Sequence, residues 1–221
     1  MLESVTWKII HMSSASEREE LVQRLEEIFG ATRFEAIVGS TVKDKYEHLQ
    51  HPVAGETKTN GIYGCIESHY QSLKELQNAP TDYVGVFEDD AIFTAKKEEL
   101  EDWLQSLPDD WDIALLGTTE HVRRTKINEQ VSRVKRFWGA HAVIFRKALL
   151  TNLFDTLTKY MREGPLPIPD WWYAWAIQEH NLIAYAPNPP TRFCHQKDGL
   201  VSALTGKIRD PPKQSCPKTD K

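Results

Sequence analysis

Tyr83-Val84-Gly85-Val86-Phe87 is an apolar run that ends in three consecutive carboxylates, Glu88-Asp89-Asp90, before Ala91-Ile92-Phe93 resumes it. The run is short and rich in β-branched and aromatic residues, so it reads as a buried strand. Three acids at the mouth of a buried strand repel one another, and a nearby cation would relieve that cost. Oxygen ligands of this kind suit Mg²⁺ or Mn²⁺. The plain alternative is an acidic turn that is solvated and has no task.

The chain around this strand has 221 residues, 40% of them hydrophobic, enough for one domain with a sizeable core. A net charge of −5 and the lack of a long basic block argue against a nucleic-acid partner. Met1 to Lys8 lacks a basic region followed by an apolar one, and no run is long enough to span a membrane. Three cysteines, Cys65, Cys194 and Cys216, give an odd count that fits a reducing, cytoplasmic setting. The expected organisation is a domain over residues 1–208 and a Pro/Lys-rich tail over 209–221.

Val5 to His11 reads as a first strand. Two overlapping capping boxes follow, Ser14 with Glu17 and Ser16 with Glu19. Leu21, Val22, Leu25, Ile28 and Phe29 then share a helical face that Gly30 ends. Residues 33–38 read as a second strand, and a strand, helix, strand opening begins an α/β sheet. Ligands of such sheets sit at the carboxyl ends of strands, which places His11 and Val38 to Ser40 near a site. Residues 39–60 form a long polar loop, and Ile62, Ile66, His69, Tyr70, Leu73 and Leu76 fall at helical spacing after it. Gly64, Ser68 and His69 are candidates for close approach to a ligand, although a hydrogen-bonded core histidine is the simpler account of His69.

Beyond the acidic strand, a short helix around Leu100 to Leu107 and buried strands at 111–117, 139–145 and 182–186 complete the pattern. Arg123, Arg124, Lys126, Arg133, Lys135 and Arg136 crowd an exposed hairpin, either a solvated face or one that holds an anion. Asp170 opens an aromatic helix carrying Trp171, Trp172 and Trp175. Three tryptophans within five residues cannot share one helical face, so at least one is expected to face outward as a platform for a sugar.

No Gly-Lys-Ser or Gly-Lys-Thr follows a strand, and no His-Glu-x-x-His occurs, which removes a Walker-type phosphate loop and a zinc protease. A metal clamp on a nucleotide diphosphate fits better: Glu88 and Asp90, two positions apart, point the same way at a strand end. Four blocks in order are similar to glycosyltransferase family 25, which includes lipooligosaccharide galactosyltransferases and collagen galactosyltransferase domains. They are the opening strand with Ser16-Glu17-Arg18-Glu19, then Gly64-Cys65-Ile66-Glu67-Ser68-His69, then Val86-Phe87-Glu88-Asp89-Asp90-Ala91, then Trp138-Gly139-Ala140-His141-Ala142-Val143-Ile144-Phe145.

The resemblance covers most of residues 7–205. It implies a single-domain α/β GT-A fold, Rossmann-like with a mixed central sheet, and an inverting transfer from a nucleotide sugar, a UDP-sugar such as UDP-galactose in many members, to a hydroxyl of a glycan or glycoconjugate. It places Glu88 and Asp90 on Mn²⁺ or Mg²⁺ and the diphosphate. It sets Ser68 and His69 beside the donor and His141 beside the site, with His11 and Arg18 toward the nucleotide; Val38, from its strand end, and Asp89, within the acidic motif, are counted with these contacts. The opening loop departs from the family: His11-Met12-Ser13-Ser14 stands where Asn-Leu and basic residues are usual.

An inverting displacement needs a base for the acceptor's proton and a stabiliser for the leaving diphosphate. Asp170, beside the tryptophans, is the first choice of base, with helix capping as its alternative role; Glu120 is the second choice. His195 is a candidate third metal ligand, with a surface histidine as its alternative. Two other readings stay open: a nucleotide-sugar hydrolase or phosphodiesterase using the same metal site, and a module that binds a sugar nucleotide without turnover.

Overall fold

The computed structural model describes residues 2–53 and 58–197. The expected tail at 209–221 lies outside them. Eight strands form one sheet: β1 (Val5–His11), β2 (Thr32–Glu35), β3 (Tyr83–Glu88), β5 (Ile113–Gly117), β6 (Glu120–Lys126), β7 (Val131–Trp138), β8 (Ala142–Arg146) and β9 (Ala184–Pro187), in the spatial order β2-β1-β3-β8-β5-β9-β7-β6. A separate antiparallel pair joins β4 (Ala91–Phe93) to β10 (Cys194–Gln196). Pairing is parallel for β1 with β2 and β3 and for β5 with β9, and antiparallel elsewhere in the sheet, so the sheet is mixed as expected.

Its central strands are apolar on both faces because helices cover both. In β5, Ile113 and Leu115 join one core, whereas Ala114 and Leu116 join the other. The first core packs against α3 (Asn60–Leu76), α5 (Leu150–Arg162) and α6 (Pro169–Glu179). The second packs against α1 (Glu19–Phe29) and α4 (Lys97–Gln105). The remaining helix, α2 (Lys43–Tyr46), is a single turn in the long polar loop. Among the described residues no helix is long and apolar enough to cross a membrane.

Several local expectations are corrected. The capping boxes do not form: Ser16 to Arg18 make a 3₁₀ turn, and α1 starts at Glu19 with no side-chain cap. The second strand stops at Glu35, leaving residues 36–38 as cleft wall. The expected strand at 139–145 forms as β8 but starts only at Ala142, because Gly139 turns the chain at φ +75° after β7 ends at Trp138. A Cβ at Gly139 would also meet the His141 ring at 2.5 Å. Asp170 is not the N-cap of α6; it follows Pro169 inside the first turn.

One glycine contact positions the site. A Cβ on Gly64 would lie 2.4 Å from the Ile37 carbonyl oxygen, so the loop after β2 approaches α3 at a distance that only glycine allows. Ser68 fastens the same loop by accepting from the Ile37 N–H at 2.8 Å while donating to the Gly64 carbonyl at 2.6 Å.

Candidate functional site

A cleft of about 370 Å³ opens at the carboxyl ends of β1 and β3. Its walls are Ile10 and Met12, the stretch from Ala36 to Ser40, and the first two turns of α3, with Glu88, Asp89 and Asp90 below. Arg18, Val38, Ser68 and His69 line it as well. The sheet therefore presents the acidic turn where ligands of α/β folds bind.

The three acids have separate tasks. Asp89 turns inward, where it accepts hydrogen bonds from the Arg18 guanidinium and, at 3.0 Å, from His11 Nδ1. Burial pulls the Arg18 proton affinity down, but the charge and hydrogen bond of Asp89 raise it above its ordinary value. Glu88 and Asp90 instead converge on the amide of Gln196, whose Nε2 lies 3.2 Å from Glu88 Oε2 and 3.5 Å from Asp90 Oδ2.

Glu88 meets two histidines. Its Oε1 lies 3.3 Å from His69 Nε2 and its Oε2 lies 3.6 Å from His141 Nδ1. Burial alone would raise its pKa, yet the hydrogen bonds and charges of His141 and His69 hold it well below the usual carboxylate range. His69 is also bonded through Nδ1 to the Tyr173 hydroxyl at 2.8 Å. His69 is thus both a satisfied core histidine and a lining residue of the cleft. The other face of His141 meets Thr119 Oγ1 at 3.3 Å.

Asp170 lies outside the residues that line the cleft, against Gly139, two positions before His141. It accepts from the Gly139 N–H at 3.1 Å and from the Trp171 N–H at 2.9 Å. Burial, reinforced by the charge of Glu88, outweighs those bonds and raises its pKa. On its outer side Trp138 and Trp171 meet edge to face with centroids 5.2 Å apart, and the Arg136 guanidinium lies 4.2 Å from the Trp171 ring centre. Trp175 is half-buried and stacks on Tyr160 at 4.1 Å.

Three further expected site residues fall away from both the cleft and Asp170. Trp172 is fully buried and donates its indole N–H to the Leu153 carbonyl, so it belongs to the core rather than to a sugar platform. Glu120 opens β6 as an exposed residue opposite Trp138, outside the cleft lining. His195 pairs with Ile92 in the β4–β10 ladder, and strand alternation turns it away from the face on which Gln196 reaches the acids. Cys65, Tyr173 and Gln196 were not singled out from the sequence. Cys65 and His69 are four apart on α3, a spacing that puts them on one face and was visible in the sequence.

The sum of two carboxylates converging on one donor, in a cleft at the strand ends, suits a hard divalent ion. Residues 6–162 match the family model described as glycosyltransferase family 25 (LPS biosynthesis protein). The chain is 32% identical over 113 residues to inactive glycosyltransferase 25 family member 3 of Mus musculus, a match spanning 48% of this chain and 19% of that protein. Among solved structures, mouse xyloside xylosyltransferase 1 aligns with a TM-score of 0.44 at 11% identity, over 80% of this chain and 69% of that one. A glycosyltransferase involved in glycosylation of the PBCV-1 major capsid aligns with a TM-score of 0.42 at 10% identity, over 80% and 76%. The family match covers well over half of the sequence, and the chain belongs to glycosyltransferase family 25.

Proposed function

We propose that the protein is a metal-dependent inverting glycosyltransferase that uses a nucleotide-diphosphate sugar, a UDP-sugar in the first instance, and a glycan or glycoconjugate hydroxyl. The observation that carries this reading is the division of labour in the acidic turn. Asp89 is consumed by Arg18 and His11, whereas Glu88 and Asp90 converge at the cleft.

Glu88 and Asp90 would hold Mn²⁺ or Mg²⁺, which would supply positive charge against the leaving diphosphate. The positive end of the α3 dipole lies on the same cleft through Asn60 and Gly61 and favours the same anion. Acceptor chemistry falls to Asp170 and its tryptophan neighbours, which lie outside the cleft lining. Asp170 is the base in this reading, because its raised pKa makes it a better proton acceptor than an ordinary carboxylate. Trp171, with Trp138 and Trp175 around it, offers the aromatic face on which an acceptor sugar would rest.

The test is a thermal-shift panel of nucleotide sugars with and without Mn²⁺, followed by product analysis. Ligand binding to the folded state raises the melting temperature by mass action. A metal-dependent rise for a UDP-sugar, lost in Asp90→Ala, together with transfer to an acceptor is the expected result. Free sugar released with no transfer product would indicate a hydrolase. Binding without turnover would indicate an inactive binder, the state named for the mouse relative. No shift with any nucleotide sugar overturns the donor site.

A further inference from the structure

Cys65 on α3 has no part in the transfer chemistry above, yet it lines the same cleft. Its partners are one helical turn and one strand away. Cys65 and His69 share a face of α3, and Glu88 ends β3 beside them. One ligand-type atom from each of the three lies within 4.8 Å of the others.

We propose that Cys65, His69 and Glu88 form a site for a thiophilic divalent ion, Zn²⁺ or a chemical relative, which competes with the hard ion for Glu88. The donor set is one sulfur, one imidazole nitrogen and one carboxylate oxygen. That set favours zinc-like ions over Mg²⁺ or Mn²⁺, which prefer oxygen alone. Zinc bonds of about 2.0–2.3 Å in a tetrahedron place ligand atoms roughly 3.5 Å apart, so small side-chain rotations close the present spacing. Three protein ligands leave a fourth position, and the cleft is where it opens.

The outer partners that orient such ligands are already in place. His69 Nδ1 is 2.8 Å from the Tyr173 hydroxyl. An ion bound at Nε2 would replace its present hydrogen bond to Glu88 Oε1, 3.3 Å away, and leave Nδ1–H to donate to the Tyr173 hydroxyl. The other oxygen of Glu88 is tethered by Gln196 at 3.2 Å. Because Glu88 serves both donor sets, an ion held by Cys65 and His69 takes one carboxylate away from the pair that Asp90 completes.

The experiment is a Co²⁺ titration of the reduced full chain in metal-free buffer, followed by optical absorption. A thiolate ligand gives a sulfur-to-cobalt charge-transfer band that oxygen ligands do not. The expected result is such a band saturating at one ion per chain and bleached by Zn²⁺. It vanishes in Cys65→Ser, weakens in His69→Gln, and persists in Cys216→Ser and in Asp90→Ala. Persistence in Asp90→Ala separates this site from the donor's metal site, since the nucleotide-sugar shift would be lost in that variant. A wild-type chain with no band, or a band that survives in Cys65→Ser, overturns the proposal. If a variant fails to fold by circular dichroism, the wild type decides alone: Zn²⁺ is expected to slow alkylation of Cys65, read by peptide mass spectrometry, and an unchanged rate overturns the site.

Discussion

The guanidinium of Arg18 is hydrogen-bonded to the carboxylate of Asp89, joining the first helical turn to the acidic strand across 71 residues of sequence. Both side chains are close to fully buried, at 10% and 8% exposure. The middle acid still lines the cleft, but its carboxylate is tied to the frame. Removing either partner leaves a buried charge without its counterion, which costs about 3–5 kcal/mol. Arg18→Ala and Asp89→Ala are each expected to fall in that range by denaturant unfolding. The double variant should cost less than their sum, because the two sites are directly coupled.

The tryptophans separate packing from recognition. Trp172→Ala empties a fully buried site and should cost about 3–5 kcal/mol of stability. Trp171 is half-buried against Trp138 and Arg136, so Trp171→Ala should leave the fold intact. Its expected signature is an acceptor KM raised roughly three- to tenfold with donor binding unchanged, the size of one aromatic contact. Equal acceptor KM in wild type and Trp171→Ala would remove the platform from the acceptor site.

A base must be ionised to act, and burial with the charge of Glu88 raises the pKa of Asp170. Activity should therefore rise with pH along a limb set above the ordinary aspartate value of 3.8. Asp170→Asn should lower kcat by roughly 10²–10⁴ and abolish that limb. Glu120→Gln, on the exposed start of β6, should leave both unchanged. The reverse pattern in pH–rate profiles would transfer the role to Glu120.

His121 gives a stability prediction independent of catalysis. Burial, with the nearby charge of Arg124, lowers its pKa from 6.5 to about 4, and neither ring nitrogen has a hydrogen-bond partner among the described residues. The unfolded chain takes up the proton first, so stability is complete above pH 6.5 and declines as pH falls toward 4. The window corresponds to about 3 kcal/mol at most. His121→Leu should flatten the dependence of the unfolding midpoint on pH between these limits.

What the sequence by itself determined lies in its periodicities. The alternation of apolar runs with helical faces established the α/β class. The abrupt stop of an apolar run at Glu88 located the mouth of a central strand, because burial on both faces demands continuous apolar residues up to the edge of the sheet. The tertiary structure decided which partner each of the neighbouring acids takes, since that depends on Arg18 and Gln196, which lie far away in the chain. It also decided the fates of Trp171 and Trp172, which differ by one position, about 100° on a helix, and so by whether α5 covers them. The strand predicted at 139–145 starts only at Ala142, after a glycine whose left-handed turn leads to His141 beside Glu88 and whose N–H bonds Asp170. Local sequence records the propensity of each element; charge partners and turn geometry at the cleft depend on contacts between segments that only the folded chain brings together.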